Sequence, residues 1–188
     1  QKTFASNEND AQENDLIAQI YRDSLLQCKE VPSNVRAFMS APTLLFHKKY
    51  DNAIHILDSV YKSYAPYSRD AGIIAYSLAS AYQGKNDSEN MIKYFAISAI
   101  SDVLNGAREN LSLKILAKLI FESGDIDRAY KYMKNAMEDA ILCNARINTI
   151  EASDMYLFID KAFQEKEKNK FITITILLVA LCFVCILL

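Results

Sequence analysis

Two histidines, His47 and His55, stand eight positions apart. Imidazoles at that spacing hold a metal only with further donors, and no cysteine or acidic pair sits beside them at ligand spacing; they read as surface histidines. Glu122, Asp125 and Asp127 cluster near a turn, where carboxylates favour helix N-termini, so capping and solvation account for them. Cys28 and Cys143 are 115 positions apart and lack the local spacing of a zinc or redox pair, so they read as buried or idle thiols. No Ser/His/Asp set, Cys/His pair or phosphate-cradling glycine loop occurs. The chain therefore offers no catalytic, metal or cofactor-binding residues, and an enzyme is not expected. What is left is recognition: Lys114 and Lys118, one helical turn apart, could meet a carboxylate, and Tyr76 and Phe121 could anchor apolar groups.

Such residues need a scaffold, and the scaffold is periodic. Three stretches align when shifted by 38 residues: Ala53, Met91 and Ala129 share a column, as do Leu57, Phe95 and Met133, Leu44, Tyr82 and Ile120, and Ala41, Ala79 and Ala117. A fixed period in this range marks a repeat array whose units bury their apolar faces against neighbours. Four Gly and three Pro in 188 residues suit long helices joined by short turns, and the repeats favour one continuous core. With 21 basic against 23 acidic residues and no long block of one sign, the footprint of a nucleic-acid binder is missing.

Residues 1–14 are polar and Asn-rich and read as a flexible lead-in. From Asp15 a helix is expected through Leu16, Ile17, Ile20, Leu25 and Leu26, ending before Val31-Pro32. The first full repeat spans about 34–68; Pro42 predicts a kink or a late start in its first helix, while Asp51 to Tyr61 form the second. The second repeat spans about 72–106, with a turn at 84–88. The third spans about 110–144 and turns at Gly124-Asp125. A last helix carries Ala152, Met155, Tyr156, Ile159 and Phe163 as a stripe that covers the final repeat. No useful period-2 stretch occurs, so the polar part reads as all helix.

These columns resemble the tetratricopeptide repeat pattern. Leu78-Ala79 and Tyr82 stand where that family has Leu-Gly and Tyr; Met91, Phe95 and Ser98 stand where it has Ala, an aromatic and Ala. Leu116-Ala117, Gly124-Asp125, Ala129 and Ala136 fit better still. The usual unit has about 34 residues, and four more add about one helical turn. The resemblance implies an all-α solenoid of antiparallel helix pairs with a groove lined by the first helix of each repeat. Its outward positions are Tyr76, Ser80 and Gln83 in the second repeat and Lys114, Lys118 and Phe121 in the third. Cytosolic relatives that grip a C-terminal carboxylate use a Lys/Asn set that is incomplete here.

Residues 171–188 (FITITILLVALCFVCILL) contain no charge, Pro or Gly and span about 27 Å as a helix, close to the hydrocarbon thickness of about 30 Å. Thr173 and Thr175 can bond back to the preceding turn. The competing reading is a buried C-terminal helix, although apolar residues cover every face. Ending on Leu187-Leu188 without a polar flank suggests a span cut inside or at its end. Lys161, Lys166, Lys168 and Lys170 against Glu165 and Glu167 give the flank a net charge of +2, which by the positive-inside rule favours the cytoplasm for the repeats.

A longer likeness covers Tyr94 to Glu165, in strings such as NLSLKILAKLIFESGDIDRAYKYMKNAMEDA. They resemble a Bacteroidetes family of membrane-anchored repeat proteins that carry a C-terminal domain of unknown function. That resemblance implies a periplasmic array after a signal peptide, one inner-membrane helix and a regulatory cytoplasmic segment. The organisation expected is a lead-in over 1–14, an array with its capping helix over 15–165, a charged juxtamembrane segment over 166–170 and a truncated span over 171–188. The expected function is a periplasmic sensing or scaffold module that binds a protein or peptide, with a homodimer left open and no nucleic acid bound through this segment. The alternative is a tail-anchored cytosolic adaptor. A third arrangement, an enzyme regulated by the repeats, needs a catalytic domain beyond Leu188.

Overall fold

The computed structural model describes residues 17–18, 20–28, 30–108, 111–143 and 146–187, and for 146–152 the backbone alone. The lead-in over 1–14, the helix start at Asp15, the Ala152 side chain and Leu188 lie outside the described residues. Among those described, every element is a helix: α1 (20–27), α2 (Ser33–Phe46), α3 (Tyr50–Tyr61), α4 (Arg69–Gly84), α5 (Ser88–Leu104), α6 (Leu111–Glu122), α7 (Ile126–Leu142) and α8 (Arg146–Leu187). The expected all-α helix-pair architecture is what forms. α1 stops ahead of Val31-Pro32, as the restricted backbone before proline requires. α2 does not start late: it begins at Ser33 and carries Pro42 inside.

The 38-residue period is physical at two levels. The sequence columns are the packing columns, for Ala41, Ala79 and Ala117 are fully buried, as are Leu57 and Met133, with Phe95 at 1% exposure. The backbone repeats too. Between the two helices of each repeat, Lys48, Asn86 and Gly124 take left-handed conformations with φ of 57°, 58° and 91°. The next residue's N–H reaches back to close the finished helix: Lys49 to the Leu44 carbonyl (2.8 Å), Asp87 to Tyr82 (3.0 Å) and Asp125 to Ile120 (3.2 Å). The left-handed residue donates in turn to Leu45, Gln83 and Phe121. That pair of bonds is the Schellman stop, formed three times at one spacing. Lys49, Asp87 and Asp125 then cap the second helix, and the two aspartates accept from the backbone N–H three residues on.

The chain divides into two compact units, 1–105 and 106–188, where the sequence had favoured one continuous core. The division falls where Asn105 caps α5 and Gly106 turns at φ +67°. In the first unit α2 pairs with α3, α3 with α4, and α4 with α5. Small residues permit this closeness: Ala71, Ala75, Ala79 and Ala81 are fully buried along α4. A Cβ on Gly72 would lie 2.6 Å from the Ser101 Cβ, and one on Gly84 would run into the Tyr50 ring. In the second unit α7 packs between α6 and α8 around Ala117, Ala129, Met133 and Ile159.

Candidate functional site

In the first unit α4 carries Tyr76, Ser80 and Gln83. Tyr76 is half-buried, with its ring edge-on to Phe95 of α5 at 5.6 Å and 70°, and burial raises its phenol above the ordinary value. The Ser80 hydroxyl donates back to the Tyr76 carbonyl at 3.0 Å, and Gln83 is exposed near the end of the helix. In the second unit α6 carries Lys114, Lys118 and Phe121. Lys114 is half-buried; Lys118 is exposed and faces Glu122 at 3.9 Å, an exposed pair worth well under about 1 kcal/mol. Phe121 is half-buried, edge-on to Phe158 of α8 at 5.4 Å and 71°. The six residues are thus divided three and three between the units. Both aromatic members spend part of their surface on another helix of their own unit, Tyr76 on α5 and Phe121 on α8.

The first unit also holds an open cleft of about 690 Å³ that the groove assignment did not include. It is lined by Asp51, Ile54, His55, Asp58 and Ser59 of α3, Lys62 just past its end, and Tyr82 of α4. Lys85 pairs with Asp51, which raises the lysine above its ordinary range, and Lys62 pairs with Asp58 at 2.6 Å. Charge in the cleft is therefore largely compensated. Behind it Tyr82 stacks on Tyr94 at 5.6 Å, and Tyr61 meets Tyr94 edge-on at 6.0 Å. The signal for this cleft was legible: Asp51, His55, Asp58 and Lys62 recur at helical spacing and share one face of α3. His47 and His55 are both exposed, as surface histidines should be.

The acidic cluster near the third turn resolves into capping. The Asp125 carboxylate accepts the Arg128 backbone N–H at 3.0 Å and its Nε–H at 2.6 Å, and these bonds hold it below the usual carboxylate range. Asp127 accepts from Lys166 of α8 at 2.6 Å, and that bond raises the lysine. Further along, Tyr130 stacks on Phe163 at 4.2 Å and 5°. Cys28 and Cys143 are free and exposed, which corrects the reading of buried thiols; each stands just past a helix end, where side chains face water.

α8 is one unbroken helix of 42 residues. Its apolar stretch, 171–187, is exposed along its whole length, so it is not the buried core helix that was the competing reading. Left in water, each large side chain there would forfeit about 1.5–3 kcal/mol. Thr173 and Thr175 donate to the Asn169 and Phe171 carbonyls at 2.9 Å, which hides their hydroxyls from hydrocarbon. α8 is thus a candidate membrane-spanning helix by length and composition.

No curated protein matches this chain. The family model described as the SusR N-terminal TPR domain, TPR standing for tetratricopeptide repeat, matches residues 1–154. Proteins built on this repeat are protein-interaction scaffolds rather than catalysts. With three turns closed by the same bonds 38 residues apart and a family match over most of its length, the chain belongs to the SusR N-terminal tetratricopeptide-repeat family.

Proposed function

We propose that this chain is the periplasmic sensing or scaffold module of a single-span regulatory protein in a bacterial inner membrane. The array over 15–165 binds a protein or peptide, the first unit offering the exposed face of α4 and the second, by itself, that of α6; the segment 166–170 leads to the bilayer, and 171–188 cross it. The observation that carries this reading is the juxtaposition of two segments on one chain: a match to an N-terminal interaction domain over 1–154, followed by an apolar helix that nothing covers. In this reading a regulatory part, of the kind that carries a domain of unknown function, lies on the far side of the membrane. Binding reaches that part only if two arrangements of the array differ in affinity for the partner. The second reading, a tail-anchored cytosolic adaptor, draws on the net charge of +2 over 161–170, which favours the cytoplasm for this flank.

Cys28 and Cys143 separate the two readings, because both thiols are exposed. A membrane-impermeant maleimide should label them in intact cells once the outer membrane is permeabilised. Labelling only after lysis of the inner membrane would transfer the protein to the cytosolic reading. For the binding face, Lys114→Glu with Lys118→Glu should lower partner capture at least tenfold without loss of helicity. An unchanged yield would remove α6 from the proposed site.

A further inference from the structure

α8 and α7 run antiparallel in a defined register: Lys166 meets Asp127, Phe163 stacks on Tyr130, and Ile159 lies in the same buried cluster as Met133. This register fixes the height of the α6–α7 turn along α8. Lys166 precedes Phe171, where the apolar stretch begins, by five residues or about 7.5 Å of helix. The turn at 123–125 lies beyond Asp127 in the same direction, by a further ~3–4 Å. It therefore reaches to within roughly 4 Å of the plane where hydrocarbon begins. The headgroup layer on each side of a bilayer is about 5–7 Å thick. A helix tilt of about 20° changes the height by only ~3 Å, because paired helix axes stand about 8–10 Å apart.

The chemistry at that height suits headgroups. Ser123 and Gly124 at the tip are exposed, and no large exposed apolar residue lies there to enter the hydrocarbon. The turn brings Glu122, Asp125, Asp127 and Arg128, and α8 brings Lys166, Glu167, Lys168 and Lys170, so both signs meet at one level. A one-signed patch would select anionic lipid, whereas mixed charge matches a headgroup that carries phosphate and ammonium together. We propose that the α6–α7 turn rests in the headgroup layer of the membrane that α8 crosses, against zwitterionic phospholipid. This surface makes the last hairpin a foot that sets the tilt of the span. The proposal rests on α8 being a membrane helix, and the experiment separates the two.

The full chain is reconstituted in phosphatidylcholine nanodiscs with one bimane-labelled cysteine at a time, the other cysteines being replaced by serine or alanine. The labelled sites are Ser123→Cys in the turn, native Cys143 and Leu177→Cys in the span. Cys143 ends α7, about 25 Å from the turn along a 17-residue helix. A nitroxide on the choline headgroup should quench the label at 123 at least threefold more than that at 143. A nitroxide on the acyl chain should quench the label at 177. Quenching at 177 with equal, weak quenching at 123 and 143 overturns the docked turn alone. No quenching at 177 overturns the span, and the proposal with it. Replacing a third of the lipid by phosphatidylglycerol should leave quenching at 123 within twofold; a several-fold rise would overturn the match to zwitterionic headgroups.

Discussion

The three inter-helix turns form a built-in comparison, because one backbone conformation is occupied by lysine, asparagine and glycine. Gly124 sits at φ +91°, and a Cβ there would meet no atom within 4 Å. The cost of Gly124→Ala is therefore purely conformational, about 1–2 kcal/mol for an L-residue forced left-handed. Lys48, at φ 57°, already bears that strain. Lys48→Gly relieves about 1–2 kcal/mol and returns about 0.5–1 kcal/mol through the greater freedom of unfolded glycine, for a net gain of about 0–1.5 kcal/mol. Asn86→Gly should gain less, since asparagine tolerates this region. In a unit of this size 1 kcal/mol corresponds to about 4–8 °C in Tm. Thermal unfolding of the full chain in detergent, followed by far-ultraviolet circular dichroism, gives the global shifts. Because the chain has two units, hydrogen exchange at the Asp125 and Lys49 amides, which donate to Ile120 and Leu44, reads each turn locally. Faster exchange at 125 in Gly124→Ala and slower exchange at 49 in Lys48→Gly are expected. An unchanged Gly124→Ala together with a destabilised Lys48→Gly would refute the reasoning.

Other positions give independent tests. Gly72→Ala should destabilise the first unit by about 1–3 kcal/mol through overpacking on Ser101, and adding Ser101→Gly should recover most of that loss; a neutral single variant in urea unfolding would deny the close α4–α5 contact. Burial pushes the Asp102 carboxyl up to about 6 from 3.8, so the folded state holds the proton more tightly than the unfolded one. Its penalty is full above about pH 6 and fades as pH falls toward 4; with the carboxyl about half exposed, solvent reduces the effect to about 1 kcal/mol. Asp102→Asn should raise Tm at pH 7.5 and flatten its rise on acidification, and a wild-type Tm that falls between pH 7 and 5 while the variant's stays level would reverse the sign. Asp125→Ala removes the α7 cap and should cost about 0.5–2 kcal/mol, read as faster exchange at the Arg128 amide.

The sequence discloses the repeat where side chains fill space and conceals it where the backbone repeats. Columns such as Ala41, Ala79 and Ala117 are visible because only small residues fit a close helix crossing. The column Lys48, Asn86 and Gly124 is invisible, since its members share a φ and no side-chain chemistry. The groove positions follow from the resemblance to the repeat pattern, which locates a face but not the neighbour that face finds. Tyr76 and Phe121 lie partly against Phe95 and Phe158, contacts between residues remote in sequence that spacing alone does not reveal. The division at Asn105–Gly106 was likewise hidden, for a left-handed glycine after a helix looks the same within a solenoid as at its boundary.

α8 has a mechanical consequence. Its 42 residues make a rod of about 63 Å without an internal joint, clamped near its middle by the Tyr130–Phe163 stack and the Lys166–Asp127 pair. The 21 residues from 167 to 187 project about 32 Å beyond the clamp. A rigid 10° rocking of the α6–α7 hairpin swings the far end of that arm by about 5–6 Å, more than half the spacing between packed helices. Leverage of this kind turns a displacement too small to reshape a binding face into one large enough to change what the far end of the helix touches.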